Sequence, residues 1–175
     1  MDGEQDERLW RIRTAEAGDR EALEAVVADA FGVYLSRMDR KPYPMLDDYG
    51  AYIRAGQAFV LEEDGGADGE VASQGPIRAC IVLVPDADGN LSLEVLAVRG
   101  DSQGRGYGRA LVDFALRRAK AAGARRLNLY TNAVMVEAQA FYDRLGFTET
   151  RRGVDSGYRR VFYELEVEGE AGPSG

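Results

Sequence analysis

Histidine is absent from this 175-residue chain, and cysteine occurs once. The first absence removes the Ser-His-Asp triad, the Cys-His pair and histidine-ligated zinc in one step. Any general base must then be a carboxylate, a tyrosine, a lysine, or water relayed by one of these. With one cysteine no intrachain disulfide exists, and Cys80 lies in the apolar run 77–84, which fits a core role better than a nucleophilic one. A reducing, cytoplasmic location is the simplest expectation. No apolar run approaches the ~20 residues of a membrane span. The acidic start, with Asp2, Glu4, Asp6 and Glu7, lacks the basic-then-apolar order of a signal peptide. Positive charge is in deficit too: 22 Lys and Arg face 30 Asp and Glu, a net −8. That balance argues against nucleic acid or an anionic membrane as partner and is compatible with amines arriving as cations.

What is present reads as one domain, long enough to bury roughly two thirds of its unfolded surface. Residues 9–13 alternate as a first strand, and a helix follows with Leu23, Val26, Val27, Ala30 and Phe31 on one face. Residues 32–48 are irregular, and Asp47 or Asp48 caps a short second helix through Tyr49, Tyr52 and Ile53. Residues 58–62 and 77–84 read as strands around the Gly-rich, acidic stretch 63–75, expected to be a mobile loop. The turn chemistry of residues 85–90 predicts an antiparallel hairpin between 77–84 and a strand at 91–98. A helix over about 106–122, a strand at 126–131, a shorter helix carrying Ala138, Phe141, Tyr142 and Leu145, and strands at 147–152 and 158–167 complete the pattern. There are no internal repeats. The expected domain is 8–167, with residues 1–7 and 168–175 disordered.

The chemistry concentrates at Gln103, Gly104, Arg105, Gly106, Tyr107 and Gly108, between a strand and an amphipathic helix. Glycines let backbone approach an anion closely, and free amides at a helix start point to it with the positive end of the helix dipole behind them. Arg99, Arg105 and Arg109 add charge around the turn. A P-loop would need Lys and then Ser or Thr after its last Gly, where this chain has Arg109 and Ala110. A dinucleotide fold would end the next strand in an acid, where this chain has Thr131 and Asn132.

The remaining pattern, Gln/Arg-x-x-Gly-x-Gly/Ala with Gln103, Gly106 and Gly108, resembles the pyrophosphate loop of the GCN5-related N-acetyltransferases, the GNAT family. The run from Glu94 to Val98 is similar to that family's fourth strand, and Ala140, Tyr142, Gly146 and Phe147 match its late Ala-x-Tyr-x-x-x-Gly-Phe signature. The resemblance implies an α/β (α+β) fold, a mixed, mostly antiparallel sheet of about seven strands flanked by about four helices. It implies acetyl-CoA as co-substrate, with no metal. The backbone of Leu96, Ala97 and Val98 would hold the pantetheine arm, in a cleft where the fourth and fifth strands splay apart. Residues 103–109 would hold the pyrophosphate. Many family members carry Asn seven residues before the Tyr, where this chain has Met135, so Thr131 or Asn132 would substitute in that contact.

Glu94 interrupts an apolar strand and is the candidate base, since desolvation raises a carboxyl pKa into a useful range. Pairing with a buried Arg, or a solvated strand end, would equally explain it. Tyr142 matches the family's proton donor to the departing thiolate, and its spacing also suits a core aromatic. For the acceptor, the resemblance points to the segment between the first two helices and to the last strands, with Tyr34, Arg37, Met38, Tyr43, Pro44, Met45 and Tyr49 as lining; the same aromatics are equally read as packing the second helix onto the sheet. The expected reaction is acetyl transfer to a primary amine, of a small molecule ahead of a protein N-terminus or lysine, in a monomer or homodimer. A CoA sensor would tolerate loss of Glu94 and Tyr142, and an aminoacyl-tRNA toxin would need a basic face.

Overall fold

The computed structural model describes residues 9–64 and 75–168. The expected loose termini and most of the 63–75 loop lie outside the described residues. Chain order is β1 (Trp10–Thr14), α1 (Arg20–Gly32), α2 (Tyr49–Arg54), β2 (Ala58–Glu63), β3 (Ile77–Pro85), β4 (Leu91–Val98), α3 (Tyr107–Ala121), β5 (Arg126–Asn132), α4 (Val136–Arg144), β6 (Thr148–Asp155) and β7 (Tyr158–Glu166). The strands form one seven-stranded sheet in the order β1-β2-β3-β4-β5-β7-β6, with β4 and β5 its parallel pair. This is the mixed, mostly antiparallel sheet with four helices that the sequence predicts.

Strand alternation creates two cores, one on each face of the sheet. On one face Phe59, Leu61, Ala79, Ile81, Val161 and Tyr163 pack under α3 and α4, through Leu111, Ala115, Ala119 and Tyr142. On the other, Ala58, Val60, Cys80 and Val82 pack under α1 and α2, through Leu23, Val26, Val27 and Tyr49. Each large aliphatic buried this way contributes about 1.5–3 kcal/mol relative to exposure. Cys80 is fully enclosed, and burial pushes its thiol up to about 12, so it is an inert core residue.

The ends of the elements follow local chemistry. Asp48, not Asp47, caps α2, its side chain accepting from the Ala51 amide at 3.1 Å. Asp86 closes the β3–β4 turn by accepting from the amides of Asp88 and Asn90, each at 2.9 Å. Residues 32–48 hold two short 3-10 turns, Leu35–Arg37 and Tyr43–Met45, and otherwise run irregularly, as expected.

Candidate active site

A bulge in β4 opens the molecule. Val82 faces Val95 and Leu83 faces Leu93, so Glu94 is the extra residue of its strand. The side chains therefore change face there: Leu91 and Leu93 enter one core, and Val95 and Ala97 enter the other. Pairing of β4 with β5 stops at the same point, after Leu91↔Leu127, Ser92↔Asn128 and Leu93↔Leu129. Beyond Leu93 the two strands part, and the β5-side edge of residues 94–98 faces a cleft of about 540 Å³. That cleft is lined by Glu94, Leu96, Val98, Gln103, the glycines 104, 106 and 108, and Tyr142 among others.

One half of the cleft is built of backbone. Gly104 and Gly106 adopt φ of 82° and 83°, which side-chain-bearing residues avoid. Gly106 is also the N-cap of α3 and offers no side chain to its amides, and no acid occupies the first turn. The helix start is thus left open to an external anion. Gly108 is small for a different reason: a Cβ there would stand 3.2 Å from Cζ of Phe141 on α4. Arg109 is exposed at the cleft wall and has no ion pair among the described residues. Arg105 turns away to Glu63 at 3.0 Å, and the Tyr107 hydroxyl donates to the same carboxylate at 2.7 Å while its ring packs on Trp10. These two side chains order the loop from behind. Ala97 likewise points its methyl into the core. Gln103 reaches back to donate to the Val98 carbonyl at 3.4 Å. A glycine cradle, an uncapped fifteen-residue helix and an arginine with no ion pair among the described residues fit a pyrophosphate.

The other half is built of side chains. Glu94 is half-buried and accepts from Ser92 Oγ at 2.8 Å and from the Tyr130 hydroxyl at 3.4 Å. The bulge thus corrects the expectation of a continuous apolar strand with a desolvated carboxylate, because Glu94 opens onto the cleft. Arg160 of β7, with Tyr34, Tyr43, Pro44, Tyr130 and Tyr158, surrounds the same space. Asp47 stands close enough to feel Glu94: burial first, and then that charge, push its carboxyl up to about 6, against a hydrogen bond from Tyr52 and the attraction of Arg160.

The Tyr142 ring is buried among Phe141, Phe147 and Tyr163, at centroid distances of 5.2, 5.4 and 6.2 Å. It is both a core aromatic and part of the cleft wall, and burial raises its hydroxyl above the ordinary value, which keeps the proton on. Met135 is buried against Thr131, whose hydroxyl lies 3.6 Å from Sδ. Asn132 lines the cleft, and its side-chain oxygen accepts from the Val134 amide at 3.0 Å to shape the β5–α4 turn.

The predicted acceptor residues divide. Tyr34 and Tyr43 line the cleft. Tyr49 does not: it is buried under α1 and its hydroxyl donates to the Pro44 carbonyl, which is the packing role. Arg37 is exposed and pairs with Glu137 of α4 at 2.8 Å, linking the irregular segment to the far side of the cleft. Met38 is half-buried and outside the lining. Sequence reasoning missed Tyr130, Tyr158, Arg160 and Asp47. Arg159 and Arg160 are neighbours in one strand, the first exposed and the second buried, and only strand parity hints at which is which.

Comparison with known proteins agrees with this architecture. The profile of a family described as an acetyltransferase (GNAT) domain matches residues 54–149. A mycothiol acetyltransferase of Beutenbergia cavernae is 45% identical over 90 residues, 51% of this chain and 28% of that protein. The chain thus matches little more than a quarter of that relative's length. Among solved structures, the PaiA N-acetyltransferase from Thermoplasma acidophilum in complex with coenzyme A superposes with a TM-score of 0.69 at 16% identity, covering 89% of this chain and 99% of that one. The ribosomal-protein-S18-alanine N-acetyltransferase from Escherichia coli gives 0.63 at 20% identity, covering 95% and 98%. At such identities the likeness speaks for the fold alone.

Proposed function

The chain belongs to the GNAT acetyltransferase family, and from that premise we propose that it is an acetyl-CoA-dependent N-acetyltransferase acting on a small primary amine by direct attack in a ternary complex. The observation that carries this reading is the meeting, in one cleft, of an unpaired strand edge, an open helix start and the side chains of Glu94 and Tyr142. Acetyl-CoA supplies an activated thioester carbonyl. The amides of residues 103–109 bind its pyrophosphate, and the edge of β4 at Leu96, Ala97 and Val98 orients its arm and polarises the carbonyl. Glu94 takes a proton from the amine, directly or across one water, as the new C–N bond forms. The C–S bond breaks, and Tyr142 gives its proton to the thiolate.

A small acceptor is favoured over a protein terminus because residues 32–48 wall that half of the cleft, through Tyr34, Pro42, Tyr43 and Pro44, and are tied down at both ends. The Arg37–Glu137 pair ties the segment to α4, and the Tyr158 hydroxyl donates to the Lys41 carbonyl at 2.8 Å at the other end. A CoA sensor would have no use for a carboxylate held on a bulge. The test is acetyl-CoA-dependent thiol release across a panel of amines and peptides. Transfer to small amines is expected; transfer confined to peptides assigns the alternative, and binding without transfer to anything assigns the sensor.

A further inference from the structure

The acceptor half of the cleft holds a charge that the proposed chemistry does not use. Arg160 is 7% exposed and lines the cleft between tyrosines. Its Nη1 donates to Asp155 at 2.7 Å, and the Asp155 side chain is itself half exposed. Asp47 stands farther off but within reach of its attraction, and otherwise the guanidinium meets rings: its Cζ stands 4.0 Å from the Tyr130 centroid and 5.5 Å from that of Tyr43. A guanidinium is a rigid fork of five donors, and one partner on one nitrogen leaves most of them unused. Among the described residues no second carboxylate comes within ion-pair distance of it. A buried cation in this position repels a purely cationic acceptor and attracts an anionic group on the acceptor.

Tyr130 sets the spacing. Its ring lies against Arg160 while its hydroxyl reaches Glu94 at 3.4 Å, so the base and the guanidinium flank a single tyrosine. An amine held at Glu94 with a carboxylate on the same or the next carbon suits such an arrangement, since two hydrogen bonds of about 2.8 Å are joined by three or four covalent bonds of about 1.2–1.5 Å. The tyrosines around the span supply apolar walls with polar tips, which suit the carbon skeleton between the two ends. The net charge of −8 does not oppose this. Charges more than about 8 Å away are largely screened at physiological salt, and the group in contact decides.

We propose that the acceptor is an amine of amino-acid type, with its carboxylate on Arg160 and its amino group at Glu94. The inference rests on the N-acetyltransferase reading and names the acceptor class for that same site. Its test uses matched trios built on several side chains, namely the free amino acid, its primary amide and its decarboxylated amine, with thiol release from acetyl-CoA as readout. The free acids are expected to show kcat/KM at least about tenfold above their amides, the scale of one charge-assisted hydrogen bond. Amine basicity cannot produce that order, because an amide's amino group is the less basic and the more often neutral. Arg160→Gln is expected to bring the ratio close to one through KM, with acetyl-CoA affinity unchanged, and Arg160→Lys to retain part of it. The wild-type ratio alone suffices if either variant fails to fold. Amides or decarboxylated amines used as well as the acids overturn the acceptor class and leave the acetyltransferase standing. Absence of transfer to any amine, with acetyl-CoA still bound, overturns both.

Discussion

The two halves of the cleft are built on different principles. The half proposed for the anion is made by consecutive residues, 103–109, which offer backbone to the cleft and whose side chains mostly turn to the rear, as Arg105 and Tyr107 do toward Glu63. The acceptor half is made by side chains from residues far apart in sequence: Tyr34, Tyr43, Glu94, Tyr130 and Arg160. A backbone site recognises a group common to every acyl donor and tolerates little change at its glycines. A side-chain site is assembled by the fold and changes its preference one residue at a time. Variants should therefore separate binding of the donor from chemistry on the acceptor.

The largest expected effect is on the acceptor side. Glu94→Gln keeps size and the Ser92 contact but removes basicity, and turnover is expected to fall about 10²- to 10⁴-fold with acetyl-CoA affinity near wild type. The comparison is made across amines of different basicity, which separates the effect of the variant from the amine's own ionisation. Unchanged turnover across those amines would transfer proton removal to another group.

Tyr142 lines the same cleft from α4. Tyr142→Phe deletes the proton and leaves the ring packing on Phe147 and Tyr163, so turnover should drop on the order of a hundredfold with little loss of stability. If chemistry is shown to limit the rate and turnover stays normal, Tyr142 is a core residue only.

On the donor side, Gly106→Val places a β-branched residue at φ of 83° and covers the helix start. Acetyl-CoA affinity measured by calorimetry on the folded variant is expected to fall about ten- to a hundredfold, as charge-assisted bonds to the pyrophosphate are lost. Retained affinity would break the division between the halves.

The smallest effect belongs to Asp47. Its carboxyl, pushed up to about 6 from an ordinary 3.8, binds a proton more readily in the folded than in the unfolded chain. Stability therefore declines as pH rises from about 4 through 6, opposite to the usual paired carboxylate. Asp47→Asn should remove that decline and raise stability at pH 7 by about 1 kcal/mol after allowance for solvent screening. Denaturant midpoints at pH 4.5 and 7.5 measure it. A variant gaining equally at both values would put the cause elsewhere than in the charge.

Much of the fold was legible because its signals are short in range. The turn at residues 85–90 predicts the β3–β4 hairpin, and the apolar faces of α1 and α3 repeat within a few residues. Other features were out of reach. The strand 91–98 looks continuous in sequence, yet the bulge at Glu94 arises only in the register with β3, and it moves the carboxylate from an expected buried site to the cleft wall. Asp47 and Asp48 are alike as helix caps, and which one is left facing Glu94 depends on where α2 docks. Tyr49 shares its composition and neighbourhood with Tyr43, and one packs inward while the other lines the cleft.

The sequence by itself determined the element order, the glycine turn at the start of α3, and the carboxylate and tyrosine that the proposed chemistry uses. Those depend on φ above zero, on periodicity and on residue type, each satisfied within a few positions of chain. Tertiary structure alone decided which face Glu94 opens to, which carboxyl is held protonatable near neutrality, and that Arg160 is buried beside Tyr130 with donors to spare. Desolvation and charge–charge energies depend on distances between groups that lie tens of residues apart in sequence. No local pattern carries them.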